Sequence, residues 1–216
     1  MFAENRRRER REEIVKLLED KGFKIQNFVD YTGAEDEDVF LEGTGSLVLD
    51  RINCKAYCAL SPRAEEELFI EFCEDFEYTP VLFTAYQTVD GKRLPIYHTN
   101  VMMCIAKEFA VICLDCIDDK TERKNVLHHL QADGKEVIVI SEAQVEKFAG
   151  NMLEVTDKEG ESITVMSQSA FTSLTKLQIA TIEKYSVILS SDINTIETLG
   201  GGSARCMMAE VFLPKK

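Results

Sequence analysis

Apolar residues in this chain fall in short runs set between charged stretches. Short apolar runs bounded by turn residues predict buried strands, and a 3.6-residue period predicts a helix. Residues 4–21 read as a helix. Glu4, Arg8 and Glu12 stand at i, i+4 spacing on a solvated face, and Ile14, Leu17 and Leu18 supply an apolar stripe. A strand is expected over 24–29. An apolar strand over 41–49 and a second over 55–60 come next, then a helix over 62–76 with Ser61 as N-cap and Pro62 in its first turn, then a strand over 79–85. The pattern recurs as strands 97–105 and 109–114, a helix near 119–131 and a strand at 136–140. It recurs again as strands 150–155 and 162–166, helical segments across 168–184 and a strand at 186–190. A last strand, 203–213, follows three consecutive glycines.

The openings of these units align by position. They begin at Glu42, His98, Gly150 and Ser203, at intervals of 56, 52 and 53 residues. Near-constant spacing of one strand–strand–helix–strand unit predicts a repeat architecture, read here as a closed ring. In a ring the first strand of every unit meets the axis. Residues far apart in sequence then converge.

Composition narrows the function. At 216 residues the chain is long enough for one domain with a sizeable core, and 29% charge argues against a membrane protein. No apolar run approaches the ~20 residues of a spanning helix. The net charge of −13 sets the chain against nucleic acid as a partner. An acidic field attracts cationic small molecules, although simple solubility explains the charge as well. Seven cysteines at irregular spacing, with no signal peptide, indicate free thiols in a reducing, cytoplasmic setting. The arginine run from Arg6 to Arg11 reads as a charged helix surface. It is interspersed with Glu4, Glu9, Glu12 and Glu13, unlike a transit peptide.

Three residues carry candidate chemistry. Cys206 follows Gly200, Gly201 and Gly202 and stands beside Arg205, so a cation and loop N–H groups are at hand to favour a thiolate. The alternative is a buried apolar thiol within Cys206-Met207-Met208; the glycine run, which a core strand does not need, favours the nucleophile. His98, just ahead of an apolar strand, is either a general acid and base or a satisfied structural histidine, and its alignment with Cys206 favours catalysis. Glu42 opens a buried strand, where a carboxylate is costly unless it binds donors, and a guanidinium or ureido N–H is a fitting one. The Cys113/Cys116 pair has CxxC spacing, but residues three apart in a strand point to opposite faces, which argues against a shared metal. His128 and His129 read as surface residues of a charged helix. No metal or organic cofactor is expected, since a thiol supplies the chemistry.

With Glu42, His98 and Cys206 in this order, the chain resembles the guanidino-group-modifying superfamily of arginine deiminases, amidinotransferases and dimethylarginine hydrolases. It is most similar to the citrulline-utilisation, amidinotransferase-like branch. The resemblance rests on Phe2–Arg7, Phe40–Val48, Tyr97–Cys104, Phe148–Met152 and Gly200–Met207, and so covers nearly the whole chain. It implies an α/β fold, a pentein-type propeller of ββαβ units forming one catalytic domain over 1–216. It also implies Cys206 as nucleophile, His98 as acid/base and Glu42 as the substrate-orienting carboxylate, with Asn100, Arg205 and Gly202 contacting substrate. The implied activity is hydrolysis of a C–N bond in a citrulline- or arginine-type amino acid through an S-linked intermediate. Amidino transfer and a non-catalytic binding role are the alternatives. Arginine deiminases carry Asp where this chain has Asn100, and a neutral amide suits a ureido group, which points to citrulline. Relatives also carry a further N-terminal segment with a strand that lines the site. The expectation is therefore a ring short of one blade, whose open strand edges favour self-association.

Overall fold

In the computed structural model, which describes residues 1–11 and 13–215, apolar runs become strands only where a neighbouring run takes up their hydrogen bonds. The chain begins with a 3-10 turn, Glu4–Glu9, and a helix α1, Glu13–Asp20. The single helix expected over 4–21 is thus two pieces, and Glu12 lies outside the described residues. The strand expected over 24–29 does not form; Phe23 makes one isolated bridge to Lys215. A helical turn α2, Gly43–Ser46, leads into β1, Val48–Asp50, then β2, Lys55–Leu60, α3, Glu66–Asp75, and β3, Thr79–Thr84. A hairpin follows, β4, Tyr86–Val89, and β5, Lys92–Pro95. Its turn places Asp90 and Gly91 at φ 49° and 73°, the backbone that a tight Asp-Gly hairpin requires.

The second unit is β6, Met103–Ile105, β7, Phe109–Ile112, α4, Lys120–Ala132, and β8, Glu136–Val139, followed by a turn α5, Glu142–Val145. The third is β9, Leu153–Thr156, β10, Ser162–Ser167, α6, Gln168–Ser173, α7, Lys176–Glu183, and β11, Val187–Ser191; α8, Asn194–Gly200, comes last.

All three units share one topology. The leading strand runs antiparallel to the second, as in Val48 opposite Tyr57, Met103 opposite Ile112 and Leu153 opposite Val165. The second strand is parallel to the last, with the helical crossover that parallel pairing demands between them. The expected ββαβ repeat is present. Leading strands β1, β6 and β9 contact one another in succession, which orders the units into an arc. The three unit sheets are separate and three-stranded, the β4–β5 hairpin stands apart as a two-stranded sheet, and among the described residues no ring closes. The fold is α/β with small sheets.

The core lies around β7, whose residues Phe109–Ile112 are all fully buried. A strand covered on both faces reads as such an unbroken apolar run. Val126 and Leu130 of α4 pack into this core, and the helix is started by the Asp119 carboxylate, which accepts the Thr121 and Glu122 N–H groups. The first and second units are joined by a buried ion pair, Lys135 Nζ to Asp50 Oδ2 at 3.0 Å. The same ammonium donates to the carbonyls of Ala106 and Lys107.

Several predicted boundaries move, and for one reason. Residues 41–47, 97–102 and 150–152 are not strand; each unit coils through a turn before its first strand begins. Ser61–Ala64 is a tight turn rather than a helix start, so α3 opens later, at Glu66. The strand expected over 203–213 is a 3-10 turn, Ala204–Met207, followed by irregular chain up to the bridge at Lys215. Polar residues at these turns point inward instead of alternating across a sheet.

The tightest junction is at Gly150, where a Cβ would lie 2.5 Å from the Val101 carbonyl oxygen and 2.6 Å from the Met102 carbonyl carbon. Those contacts are backbone and cannot swing aside. Gly150→Ala is expected to destabilise the protein by about 1–3 kcal/mol, read as a lower urea midpoint at unchanged slope.

Candidate active site

Four turns meet at the centre of the arc. Glu42 precedes α2. His98 precedes a 3-10 turn, Thr99–Val101. Asn151 follows Gly150 ahead of β9, and Cys206 lies in the turn Ala204–Met207. Main-chain groups in turns have no ladder partners, and buried side chains supply them here. The Thr99 hydroxyl donates to the Ser46 carbonyl at 2.6 Å and accepts the Ala59 N–H at 2.8 Å. Asn100 Nδ2 donates to the Thr44 carbonyl at 3.0 Å, and Asn151 Nδ2 donates to the Asn100 carbonyl at 2.9 Å. Asn151 Oδ1 accepts the Arg205 N–H at 3.1 Å.

A cavity of about 760 Å³ opens over these turns, and Glu42, His98, Asn100, Gly202 and Cys206 all line it. Glu42 and His98 are in direct contact, Oε2 to Nε2 at 2.8 Å, with both side chains largely buried. Gly45 makes this possible, since a Cβ there would come within 2.8 Å of the imidazole. Glu42 was expected to grip substrate; in this structure its Oε1 accepts the Phe2 N–H at 2.9 Å and Arg63 stands 3.6 Å from Oε2.

Burial works to push the Glu42 carboxyl up, but the His98 hydrogen bond, the Phe2 N–H and the nearby cations outweigh it, and the group ends below its ordinary value. Burial pulls the His98 imidazole down. Glu42 opposes this only in part, so His98 also ends below its ordinary value. The consistent state is a neutral imidazole donating Nε2–H to an ionised Glu42, with Nδ1 left as the basic nitrogen.

Cys206 has an exposed position. Its Sγ lies 3.3 Å from Asn151 Nδ2, and a Cβ on Gly202 would stand 3.4 Å from the sulfur. The glycine loop is anchored from below by buried Glu197, which accepts from the hydroxyls of Ser203, at 2.6 Å, and Ser169. Gly201 ends α8 at φ 68°, a left-handed position that favours glycine.

Arg205 does not join the site. Its guanidinium donates to the Met208 carbonyl at 2.9 Å and reaches Glu210 at 3.4 Å, and it lines a second cavity instead. The expected cation beside the thiol is therefore absent at Arg205, because adjacent residues in a turn diverge. The Cys113/Cys116 pair also differs from expectation. β7 ends at Ile112, and the turn Leu114–Cys116 folds back so that Cys116 N–H donates to the Cys113 carbonyl at 3.3 Å. His128 and His129 sit on α4, away from the cavity.

Sequence reasoning missed Asn151, Arg63 and Tyr97. Tyr97 donates to the Gly201 carbonyl at 3.2 Å, and its ring lies 5.0 Å from the Arg63 guanidinium. Asn151 carried a usable signal, since it stands at the third aligned opening beside Gly150. Arg63, in a turn of the first unit, carried none.

The sequence matches the eukaryotic N,N dimethylarginine dimethylhydrolase family over residues 1–213. Among curated proteins none matches. ArgZ, an arginine dihydrolase from the ornithine-ammonia cycle in Cyanobacteria, has a similar structure in its apo form, with TM-score 0.65 and 16% identity over 94% of this chain and 27% of that one. Its N-terminal domain, in a variant covalently bound to a reaction intermediate, gives TM-score 0.63 and 16% identity over 93% of this chain and 65% of the other. An agmatine deiminase from C. jejuni with substrate bound gives TM-score 0.55 and 12% identity over 94% and 62%. This chain thus spans about a quarter of full-length ArgZ and under two thirds of the other two.

The Glu42–His98 pair contributes to the acid side of stability, alongside His129, which burial also holds below its ordinary value. With the folded imidazole below its ordinary 6.5, the unfolded chain takes up the proton first, so stability falls as pH drops below about 6.5. The Glu42 contribution has the same sign and is lost at lower pH, as the carboxyl is protonated. His98→Asn should flatten the upper part of this decline, checked by urea midpoints on either side of pH ~6.5. Parallel declines in the two proteins would dissociate His98 from it.

Proposed function

The chain belongs to the eukaryotic N,N dimethylarginine dimethylhydrolase family, within the guanidino-group-modifying pentein superfamily, and we propose that it is a cysteine hydrolase cleaving a C–N bond of a guanidino amino acid. The observation that carries this reading is the Glu42–His98 hydrogen bond on the wall of the same cavity that holds Cys206. A nucleophile, a base and a carboxylate that orients the base are the parts such chemistry needs.

In this mechanism neutral His98 takes the thiol proton, and the Cys206 sulfur attacks the guanidino carbon. The C–S bond forms, the C–N bond to the departing nitrogen breaks, and His98 returns the proton to the amine. Water then adds to the S-linked carbon as His98 takes its proton, and the C–S bond breaks to release the sulfur. Glu42 holds the tautomer and balances the imidazolium while it lasts. The three-unit arc, in this reading, is one catalytic domain and part of a ring whose axis is the cavity.

Asn100 bears on substrate choice. Its Oδ1 is buried without a hydrogen-bond partner, and the side chain lines the cavity. A free buried acceptor calls for an N–H donor, and a guanidinium offers only donors. A ureido group also carries N–H donors, so either substrate satisfies this acceptor; what supports the guanidino reading is the family match. Arg63 suits the carboxylate of an amino acid, since among the described residues its one ion-pair partner, Glu42, is as distant as 3.6 Å. The transferase reading differs only in the second nucleophile.

Cys206→Ala should lower turnover of arginine or Nω-methylated arginine by roughly 1,000-fold or more and abolish any covalent adduct. His98→Ala should let an adduct form yet slow its hydrolysis, seen as the added mass persisting on the protein. Full activity in Cys206→Ala would reject the mechanism.

Asn100→Asp keeps the acceptor and adds a charge, while giving up the Nδ2 donor to the Thr44 carbonyl. The ratio of kcat/KM for arginine to that for citrulline should rise by about tenfold, the equivalent of one charge-assisted hydrogen bond. An unchanged ratio removes Asn100 from substrate choice.

A further inference from the structure

We infer that Asn151 is a positioning residue that holds the Cys206 sulfur in its anionic, attacking form, a role that rests on the reading of Cys206 as nucleophile. The amide cannot be flipped, because each end has a partner of fixed polarity. The Arg205 main-chain N–H only donates, so at 3.1 Å it faces Oδ1. The Asn100 carbonyl only accepts, so at 2.9 Å it faces Nδ2. An amide nitrogen carries two hydrogens. One goes to Asn100, and the second is left for the cysteine sulfur at 3.3 Å.

The sulfur also lies 3.6 Å from Oδ1. That contact serves only while the sulfur carries its hydrogen. On ionisation it is lost, and the N–H to sulfur bond becomes charge-assisted and stronger. The amide therefore stabilises the anion more than the thiol. Arg205, the cation next in sequence, is turned toward Met208 and Glu210; Arg6, Tyr97, His98 and Glu42 line the cavity around the sulfur and stay unchanged when Asn151 is substituted. Asn151 is almost completely buried, and Gly150 beside it is packed against the Val101 carbonyl with no slack. The donor stays aimed at the sulfur without cost at the moment of reaction, which is the advantage of a preorganised dipole.

The role applies twice in the cycle. In the first step the electron pair of the sulfur forms the C–S bond while the C–N bond breaks and His98 delivers a proton to the amine. In the second, water oxygen bonds the carbon, the C–S bond breaks and its electron pair returns to the sulfur. The Asn151 N–H meets that charge before the first step and after the second.

The test is site-resolved alkylation by iodoacetamide from neutral to alkaline pH, followed by mass spectrometry of the full chain. Cys54 is the internal reference, being exposed and outside the cavity. In Asn151→Ala and Asn151→Asp, Cys206 alkylation should fall about tenfold at neutral pH and recover toward the wild-type rate at alkaline pH, with Cys54 unchanged. A merely structural role for Asn151 would leave the shape of that profile unmoved, and coincident profiles overturn the proposal. Protection of buried Cys58, Cys73, Cys104, Cys113 and Cys116 reports that a variant is folded. If both variants lose that protection, the wild-type chain decides. Cys206 reacting faster than Cys54 at neutral pH supports the proposal, and Cys206 reacting no faster overturns it. Turnover that persists in Cys206→Ala rejects the hydrolase reading and the inference with it. A dead Cys206→Ala alongside unmoved Asn151 profiles rejects the inference alone.

Discussion

The structure depends on a line of buried side-chain amides and hydroxyls that pair the main chain of one unit's opening turn with the next. Thr99 serves Ser46 and Ala59, Asn100 serves Thr44, and Asn151 serves Asn100 and Arg205. These turns lie at the meeting point of three separate sheets, where no ladder can satisfy them. An unmet buried polar group costs about 1–3 kcal/mol, so each link is destabilising to lose out of proportion to what it adds. The same links set the spacing of the cavity wall. Packing and site geometry are therefore one constraint, and a substitution in the relay disturbs both.

The units are alike in topology and unlike in what they bury at their junctions. Between the first two, the Lys135–Asp50 pair is withdrawn from solvent and saturated by carbonyls. Such a pair adds little over an apolar one, yet removing one partner strands a charge at a cost of about 3–5 kcal/mol. Between the second and third, the contact is steric, with Gly150 against Val101 and Met102. One junction is fixed by charge and the other by shape, and each permits a single register between neighbouring units.

The site divides its work by environment. Burial keeps His98 neutral at rest and able to accept a proton, while hydrogen bonds keep Glu42 ionised beside it. Cys206 sits apart on a glycine loop whose freedom is removed from beneath by Glu197 and Ser203. Flexible residues at the surface and a buried carboxylate under them give a loop that approaches the cavity closely without wandering.

Much of this was legible in the chain. The ββαβ repeat followed from apolar runs at a constant interval, because strands that pair within a unit are local and their pattern is local too. The convergence of Glu42, His98 and Cys206 on one cavity followed from their aligned places in that repeat. Boundaries at the openings were misread, since propensity favoured strand where the tertiary arrangement needed turns that aim polar groups inward. Arg205 and Asn151 exchanged importance for the same reason. Proximity in sequence put a cation beside the thiol, whereas the fold turned it away and brought an amide from 55 residues upstream. Likewise Cys113 and Cys116 lie in a turn rather than a strand because β7 stops at Ile112. Sequence alone determined the repeating unit and the candidate residues that line one cavity, because periodicity and residue chemistry are properties of the chain itself. Only tertiary structure decided which donors face which acceptors, because that depends on the paths of turns that no local pattern encodes.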